Sequence, residues 1–217
     1  MSENSRDAVI QGDTFIKGHI KNGRKVEVHG YLEGHLSAEL VVVHEGGRLF
    51  GTVRADNAEV RGHLQGDAIV KQLMSIGASG TVVGNVRYGS IAMAPGGNLS
   101  AELRNIPPEI GGDLSIVVGR GRSVPITTLD LAAVDPDDKA SGLLFTVSNV
   151  VNGWLVLADA TGQAIAEFTQ ADLEAGKVVF RHDGSSRQGG ASFDVVVADQ
   201  AGATSGAPRK VEVVVRA

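Results

Sequence analysis

A seven-residue phrase, constrained at positions 1, 3, 5 and 7 and free between them, returns six times in the first half of the chain. It reads TFIKGHI from Thr14, GYLEGHL from Gly30, GRLFGTV from Gly47, GHLQGDA from Gly62, GTVVGNV from Gly80 and GNLSAEL from Gly97, so successive starts lie 16, 17, 15, 18 and 17 residues apart. A unit of that size means one supersecondary element stacked on copies of itself, and the fold then belongs to the array. No single residue is expected to carry the chemistry.

Strict alternation within the phrase is the period of a strand. It puts Ile16, Leu32, Leu49, Leu64, Val82 and Leu99 on one face with Ile20, Leu36, Val53, Ala68, Val86 and Leu103. That face points inward. Phe15, Tyr31 and Arg48, then Lys17, Glu33 and Phe50, point out. Glycine at the fifth position in five copies, with Ala101 in the sixth, suits a place where neighbouring backbones come close or the chain bends.

A second alternating pair precedes the phrase in each period: Ala8/Ile10, Val26/Val28, Val41/Val43, Ala58/Val60, Met74/Ile76 and Ile91/Met93. Glycines 12, 30, 46, 62, 77 and 96 lie where the chain turns from this wall to the next. A period of about 17 residues with two visible short strands, room for a third and glycine corners describes a coil of a parallel β-helix. Six coils stacked roughly 4.8 Å apart make a rod on the order of 25 Å long.

The 217 residues divide near Asn105, where the repeat stops and Pro107, Pro108, Gly111 and Gly112 break the register. The expected organisation is a β-helix over 1–105 with a polar tail at 1–9, a linker at 106–112 and a second domain over 113–217. A net charge of −5 with no basic stripe gives no electrostatic reason to expect nucleic acid or an anionic membrane as partner. The absence of cysteine removes disulfides, zinc thiolates and thiol catalysis. MSENSRDAVIQGD has no apolar leader run, which makes the cytoplasm the default location, with membrane association arising through partners rather than through this polar tail.

Residues 10–104, with glycine, hydrophobic, glycine and hydrophobic residues alternating on a 15–18 residue period, resemble a bactofilin domain. The resemblance implies a right-handed parallel β-helix of about six windings in a cytoskeletal protein that polymerises end to end without nucleotide and scaffolds other proteins. An independent physical reason points the same way. A β-helix leaves unpaired strand edges and a slice of apolar core at both ends, and such edges pair with other chains unless covered. The candidate polymer interface is Phe15, Ile16 and Ile20 below and Leu99 and Leu103 above. The competing arrangement is a rod capped by 1–7 at one end and the second domain at the other.

Beyond Gly112 seven short apolar runs, 114–118, 123–127, 143–147, 154–157, 178–181, 193–197 and 211–215, read as the strands of an immunoglobulin-like β-sandwich. ITTLDLAAVDPDD from Ile126, FTQADLEAGKVVFRHDGS from Phe168 and SFDVVVADQAG from Ser192 resemble the chondroitin-sulfate-proteoglycan repeat, a cadherin-like module. That resemblance implies an adhesive or spacer module able to bind other proteins or cell-wall polysaccharide. Thr169 is placed to cap one helical turn. In cadherin-like domains a D-P-D loop helps to hold calcium, and Asp135, Asp137 and Asp138 match it, although a solvated aspartate turn accounts for these residues without a cofactor.

No G-x-S-x-G elbow, Walker A phrase, H-E-x-x-H or dinucleotide fingerprint occurs. His19 and His35 share an outward row on consecutive coils, but with only distant oxygens they read as part of a polar face. The fold expected is all-β, a β-helix followed by a sandwich, and the role expected is a non-enzymatic, self-assembling scaffold. A surface adhesin or matrix-binding rod is the alternative. A β-helical acyltransferase is the remote one, because those enzymes keep regular 18-residue coils with an extruded catalytic loop.

Overall fold

The computed structural model describes residues 6–159, 162–185 and 190–216. The chain forms two compact units, Met1–Ile106 and Pro107–Ala217.

The first unit is one seven-stranded parallel sheet wound on itself, in the order β1 (Ala8–Ile10), β2 (Phe15–Val28), β3 (Tyr31–Val43), β4 (Arg48–Val60), β5 (His63–Ile76), β6 (Thr81–Met93) and β7 (Asn98–Asn105). Every strand pairs with the next in sequence, which is the topology of a solenoid. Inter-coil registry stacks like on like: Ile16, Leu32, Leu49, Leu64, Val82 and Leu99 form one column, and Ile20, Leu36, Val53, Ala68, Val86 and Leu103 another. The second wall is likewise in register, with Ala8, Val26, Val41, Ala58, Met74 and Ile91 aligned.

The third wall is built from Gly23, Ala38, Ala55, Val70, Tyr88 and Asn105. Glycine and alanine on the lower coils give way to Val70, Tyr88 and Asn105 above, so this side carries little consistent apolar signal. The uneven period has two sources. Corners after the second wall hold two residues at 29–30 and 61–62 but four at 44–47, 77–80 and 94–97, and register shifts fall between Ile20/Gly23, Ala55/Asn57 and Val70/Leu73. The four-residue corners close as β-turns, as in Gly47 N–H donating to the His44 carbonyl at 2.8 Å and Gly80 N–H to that of Gly77 at 2.9 Å.

The glycines of the repeat are explained by stacking. At the fifth position Gly34, Gly51, Gly66 and Gly84 take φ between 126° and 137°. A Cβ on Gly34 would lie 1.9 Å from the carbonyl oxygen of Gly18 one coil below, and one on Gly51 would lie 2.1 Å from that of Gly34. No side chain fits there. Ala101 is tolerated because the last coil leaves that conformation, its φ not being positive.

The second unit packs two sheets over one core. One has the order β14 (Glu167–Thr169), β12 (Leu144–Val151), β16 (Ala191–Ala198), β17 (Arg209–Arg216), β9 (Ser115–Gly119); the other is β10 (Ser123–Pro125), β15 (Val178–His182), β13 (Gly153–Leu157). Strand β9 runs parallel to β17 and the remaining pairs are antiparallel. Phe180 of β15 and Phe193 of β16 stack across the core with ring centres 5.9 Å apart, both fully buried. This is a β-sandwich.

All seven apolar runs named from the sequence are strands. Within the stretch read as a linker, Glu109–Gly111 forms a further strand, β8, antiparallel to β11 (Ala132–Val134), so ordered structure of the second unit begins earlier than 113. The turn after β14 is helix α1 (Gln170–Glu174), and Thr169 caps it: its hydroxyl accepts from Asp172 N–H, and the Asp172 carboxylate accepts from Thr169 N–H. The Thr169 hydroxyl, 2.7 Å from Asp172 Oδ2, and then the Thr169 N–H hold the Asp172 carboxyl below its ordinary value.

Candidate functional site

The ends of the coil stack are where polar backbone and apolar core meet an open edge. Strands β1 and β7 are the outermost of the sheet. At the lower end Phe15–Ile20 pairs upward with β3 and has no strand beneath it among the described residues. Ile16 and Ile20 pack against the core from this open side and are half-buried. At the upper end β7 covers β6 as far as Tyr88, and Ile91–Met93 has no strand above it among the described residues. Leu99 is half-buried there, while Leu103 and Met93 keep 43% and 54% of their surfaces exposed.

All five residues chosen from the sequence for the polymer interface therefore lie where the first or the last coil leaves a strand edge open among the described residues, but their roles differ. Ile16, Ile20, Leu99 and Leu103 belong to core columns cut short at the end. Phe15 faces outward with 63% exposure and stacks on Tyr31, ring centres 4.6 Å apart. Its ring is the lowest of a stripe that continues through Phe50, 5.2 Å from Tyr31, to His63, 5.5 Å further on. Met93 was missed. The alternation put it on the second wall, and only the early end of β7 shows that this wall is bare at the top. A cap made by residues 1–5 lies outside the described residues.

A Cβ added to Gly18 would meet nothing within 4 Å, whereas at every stacked equivalent it strikes the carbonyl below. Among the fifth-position glycines of the repeat, Gly18 alone has no backbone stacked beneath it among the described residues.

In the sandwich, Asp135, Asp137 and Asp138 lie together, with Asp199 close by. Asp135 Oδ1 accepts the backbone N–H groups of Asp137 and Asp138 at 3.0 and 3.1 Å, and Asp138 Oδ2 accepts that of Gln200 at 3.1 Å. Burial and the neighbouring Asp135 push the Asp137 carboxyl up from 3.8 to about 6. Asp135 Oδ2 is buried without a hydrogen-bond partner. Two of the loop's carboxylate oxygens thus accept backbone N–H groups, as an aspartate turn requires.

The Asp135–Asp137 pair has a pH consequence. The folded state holds the Asp137 proton more tightly than the unfolded chain, so its contribution to stability is full below about pH 4 and is lost as the pH rises through about 6. Asp137→Asn keeps a donor towards Asp135 without needing that proton. The variant is expected to melt higher than wild type at pH 7.5 and to match it at pH 4, measured on the sandwich transition by circular dichroism; an unchanged difference across that range would contradict the pairing.

His19 and His35 stack with ring centres 4.8 Å apart and 3° between planes, in the arrangement of an exposed polar row. His182 is buried, and its Nδ1 accepts the N–H groups of Gly121 and Gly184 at 3.2 and 2.9 Å, which makes it a structural link between loops. Among the described residues the closest gathering of metal-ligating atoms is elsewhere, at Glu27, His29 and His44.

Residues 8–104 match the bactofilin family. That family is described as polymer-forming and cytoskeletal, a structural role, and residues 108–213 match a family described as cadherin-like. The bactofilin match covers the whole described coil stack, and the second begins at the prolines that follow it.

Chondroitin sulfate proteoglycan 4 of Mus musculus is 30% identical over 161 residues, and that of Homo sapiens 31% over the same length, in each case 73% of this chain and 6% of the relative. The human FRAS1-related extracellular matrix protein 1 is 36% identical over 78 residues, 36% of this chain and 3% of the relative. The chain thus spans only about 6% or less of the length of these curated relatives.

Proposed function

We propose that this protein is a cytoskeletal scaffold whose bactofilin-like coils join end to end into filaments without nucleotide, with the sandwich carried along the polymer as a binding module for other proteins or polysaccharide. The observation that supports the reading is the pair of terminal coils, each with a strand edge that no other strand pairs among the described residues and with truncated core columns. Burying an apolar side chain is worth about 1.5–3 kcal/mol, and several per joint, added to a row of backbone hydrogen bonds, offset the roughly 4–15 kcal/mol cost of association.

The glycine corners support nucleotide independence. Gly77–Gly80 is a coil corner that leads into strand β6 and offers neither the helix N-terminus nor the lysine of a phosphate cradle. Pelleting of purified protein is expected to be equal with ATP, with GTP and after nucleotide removal. Assembly that needs either nucleotide would sink the proposal.

The cytoplasm is the compartment this reading favours. A second reading, a rod exposed at the cell surface, is favoured by the cadherin-like match and by relatives named for proteoglycan and extracellular matrix. Fractionation separates the two, since native protein found wholly in the cytosol removes the surface reading and protein found wholly outside removes the cytoskeletal one.

A further inference from the structure

We infer that Glu27, His29 and His44 form a binding site for one divalent transition metal ion of the zinc class, bridging the first two coils on the outer face of the β-helix. His29 and His44 each follow the second wall by one residue and occupy the same corner on successive coils: His29 N–H donates to the Ile10 carbonyl and His44 N–H to the Val28 carbonyl, at 2.8 and 2.9 Å. Registry therefore stacks their rings, with centres 3.9 Å apart and 9° between planes. Glu27, two residues before His29, reaches the same point. Its Oε2 lies 2.9 Å from His44 Nε2 and 3.8 Å from His29 Nε2, and the three ligand atoms all lie within 4.8 Å of one another.

Two imidazoles and one carboxylate make a donor set used by zinc, with a fourth position left for water. Ligand atoms about 2.0–2.1 Å from a tetrahedral ion lie roughly 3.3 Å apart, midway between the two spacings to Glu27 seen here. The adjustment needed is a splaying of the stacked rings about χ2, a broad and soft torsion. All three side chains are half-buried, which limits their freedom before binding.

The surroundings leave the site accessible. Lys25 Nζ holds Glu27 Oε1 at 2.6 Å, so Oε2 is the oxygen presented to the histidines, and the bonds from Lys25 and His44 keep the Glu27 carboxyl below its ordinary value. On the next coil the equivalent corner carries Arg61, whose guanidinium is taken up by Glu59 at 2.9 Å. His19 and His35 also stack, but no carboxylate joins them within one ion's reach among the described residues. They serve as an internal control.

The test is calorimetric titration of the full-length protein with Zn2+, with Co2+ absorption as a second readout. One Zn2+ per chain is expected for wild type, with visible Co2+ d–d bands. Loss of an outer-shell partner alone weakens metal sites by about 10–100-fold, so His44→Gln and His29→Gln are each expected to weaken binding by more than about a hundredfold and to remove the bands. Glu27→Gln, which keeps the shape of the side chain, provides a third variant should a histidine replacement disturb folding. The double variant His19→Gln/His35→Gln should bind as wild type. Absence of binding to wild type, affinity equal in all variants, or loss confined to the His19/His35 variant would each overturn the site.

Discussion

Gly51→Ala is expected to destabilise the β-helix strongly, whereas Gly18→Ala, the same change at the equivalent position of the first coil, is expected to leave the chain folded. At Gly51 a methyl group would stand 2.1 Å from the Gly34 carbonyl oxygen, on a backbone with φ of 126°. The conformational term costs about 1–3 kcal/mol and the steric one about as much again. Against a domain stability of about 5–15 kcal/mol, that lowers the melting temperature by more than about 10 °C.

At Gly18 the added methyl meets open space, and Ala101 shows that a terminal coil accommodates alanine by leaving the positive-φ conformation. Gly18 has φ of 156°, so the cost there is a backbone one of about 1–3 kcal/mol with no steric clash added to it. In a filament Gly18 gains a stacked neighbour, so Gly18→Ala should remain folded yet assemble more than about tenfold less readily, since about 1.4 kcal/mol at the joint suffices for that factor. Melting and sedimentation of both variants check the pair of outcomes. Equal destabilisation would mean that the first coil is already covered, and unimpaired assembly of Gly18→Ala would place the joint elsewhere.

The second large effect is at the upper end. Leu103→Glu and Met93→Glu each put a charge on a truncated core column where wild type exposes an apolar side chain. About 1 kcal/mol of apolar burial per joint is lost, and burying an unpaired carboxylate costs several kcal/mol more, which together raise the critical concentration by about a hundredfold or more. Both residues sit at the last coil, so the melting temperature of the monomer should scarcely change. Filament length measured by microscopy is the readout, and unaltered length with Leu103→Glu would rule out this end as the joint.

The first two walls of the rod were legible because their columns are filled by Ile, Leu, Val and Met at a strand's period, and Ile16 through Leu99 stack as the alternation required. The third wall was hidden. Gly23, Ala38, Ala55, Val70, Tyr88 and Asn105 share no hydrophobic signature, and register shifts beside them break the spacing. In the sandwich, runs of apolar residues announced seven strands, while the three-residue strands β8, β11 and β14 are too short for a period to show.

The site was legible to the extent that it consists of repeat positions. Leu99, Leu103, Ile16 and Ile20 were named because they end columns, but Met93 became part of the end only once β7 was seen to stop at Asn105. Glu27, His29 and His44 escaped because the two histidines fall at corners, outside the alternating face. The signal was available nonetheless: each histidine follows Val28 or Val43 by one residue, and aligning coils on the second wall superimposes them. The aspartates of the D-P-D loop were found by resemblance, and the raised Asp137 value depends on burial that no spacing reveals.

The account rests on terminal coils that recruit further copies of the same chain. Negative-stain microscopy of purified full-length protein, free of nucleotide, tests this most directly. Filaments that lengthen with protein concentration and shorten in the Leu103→Glu variant are the predicted result; isolated particles of single-chain mass at every concentration would contradict it.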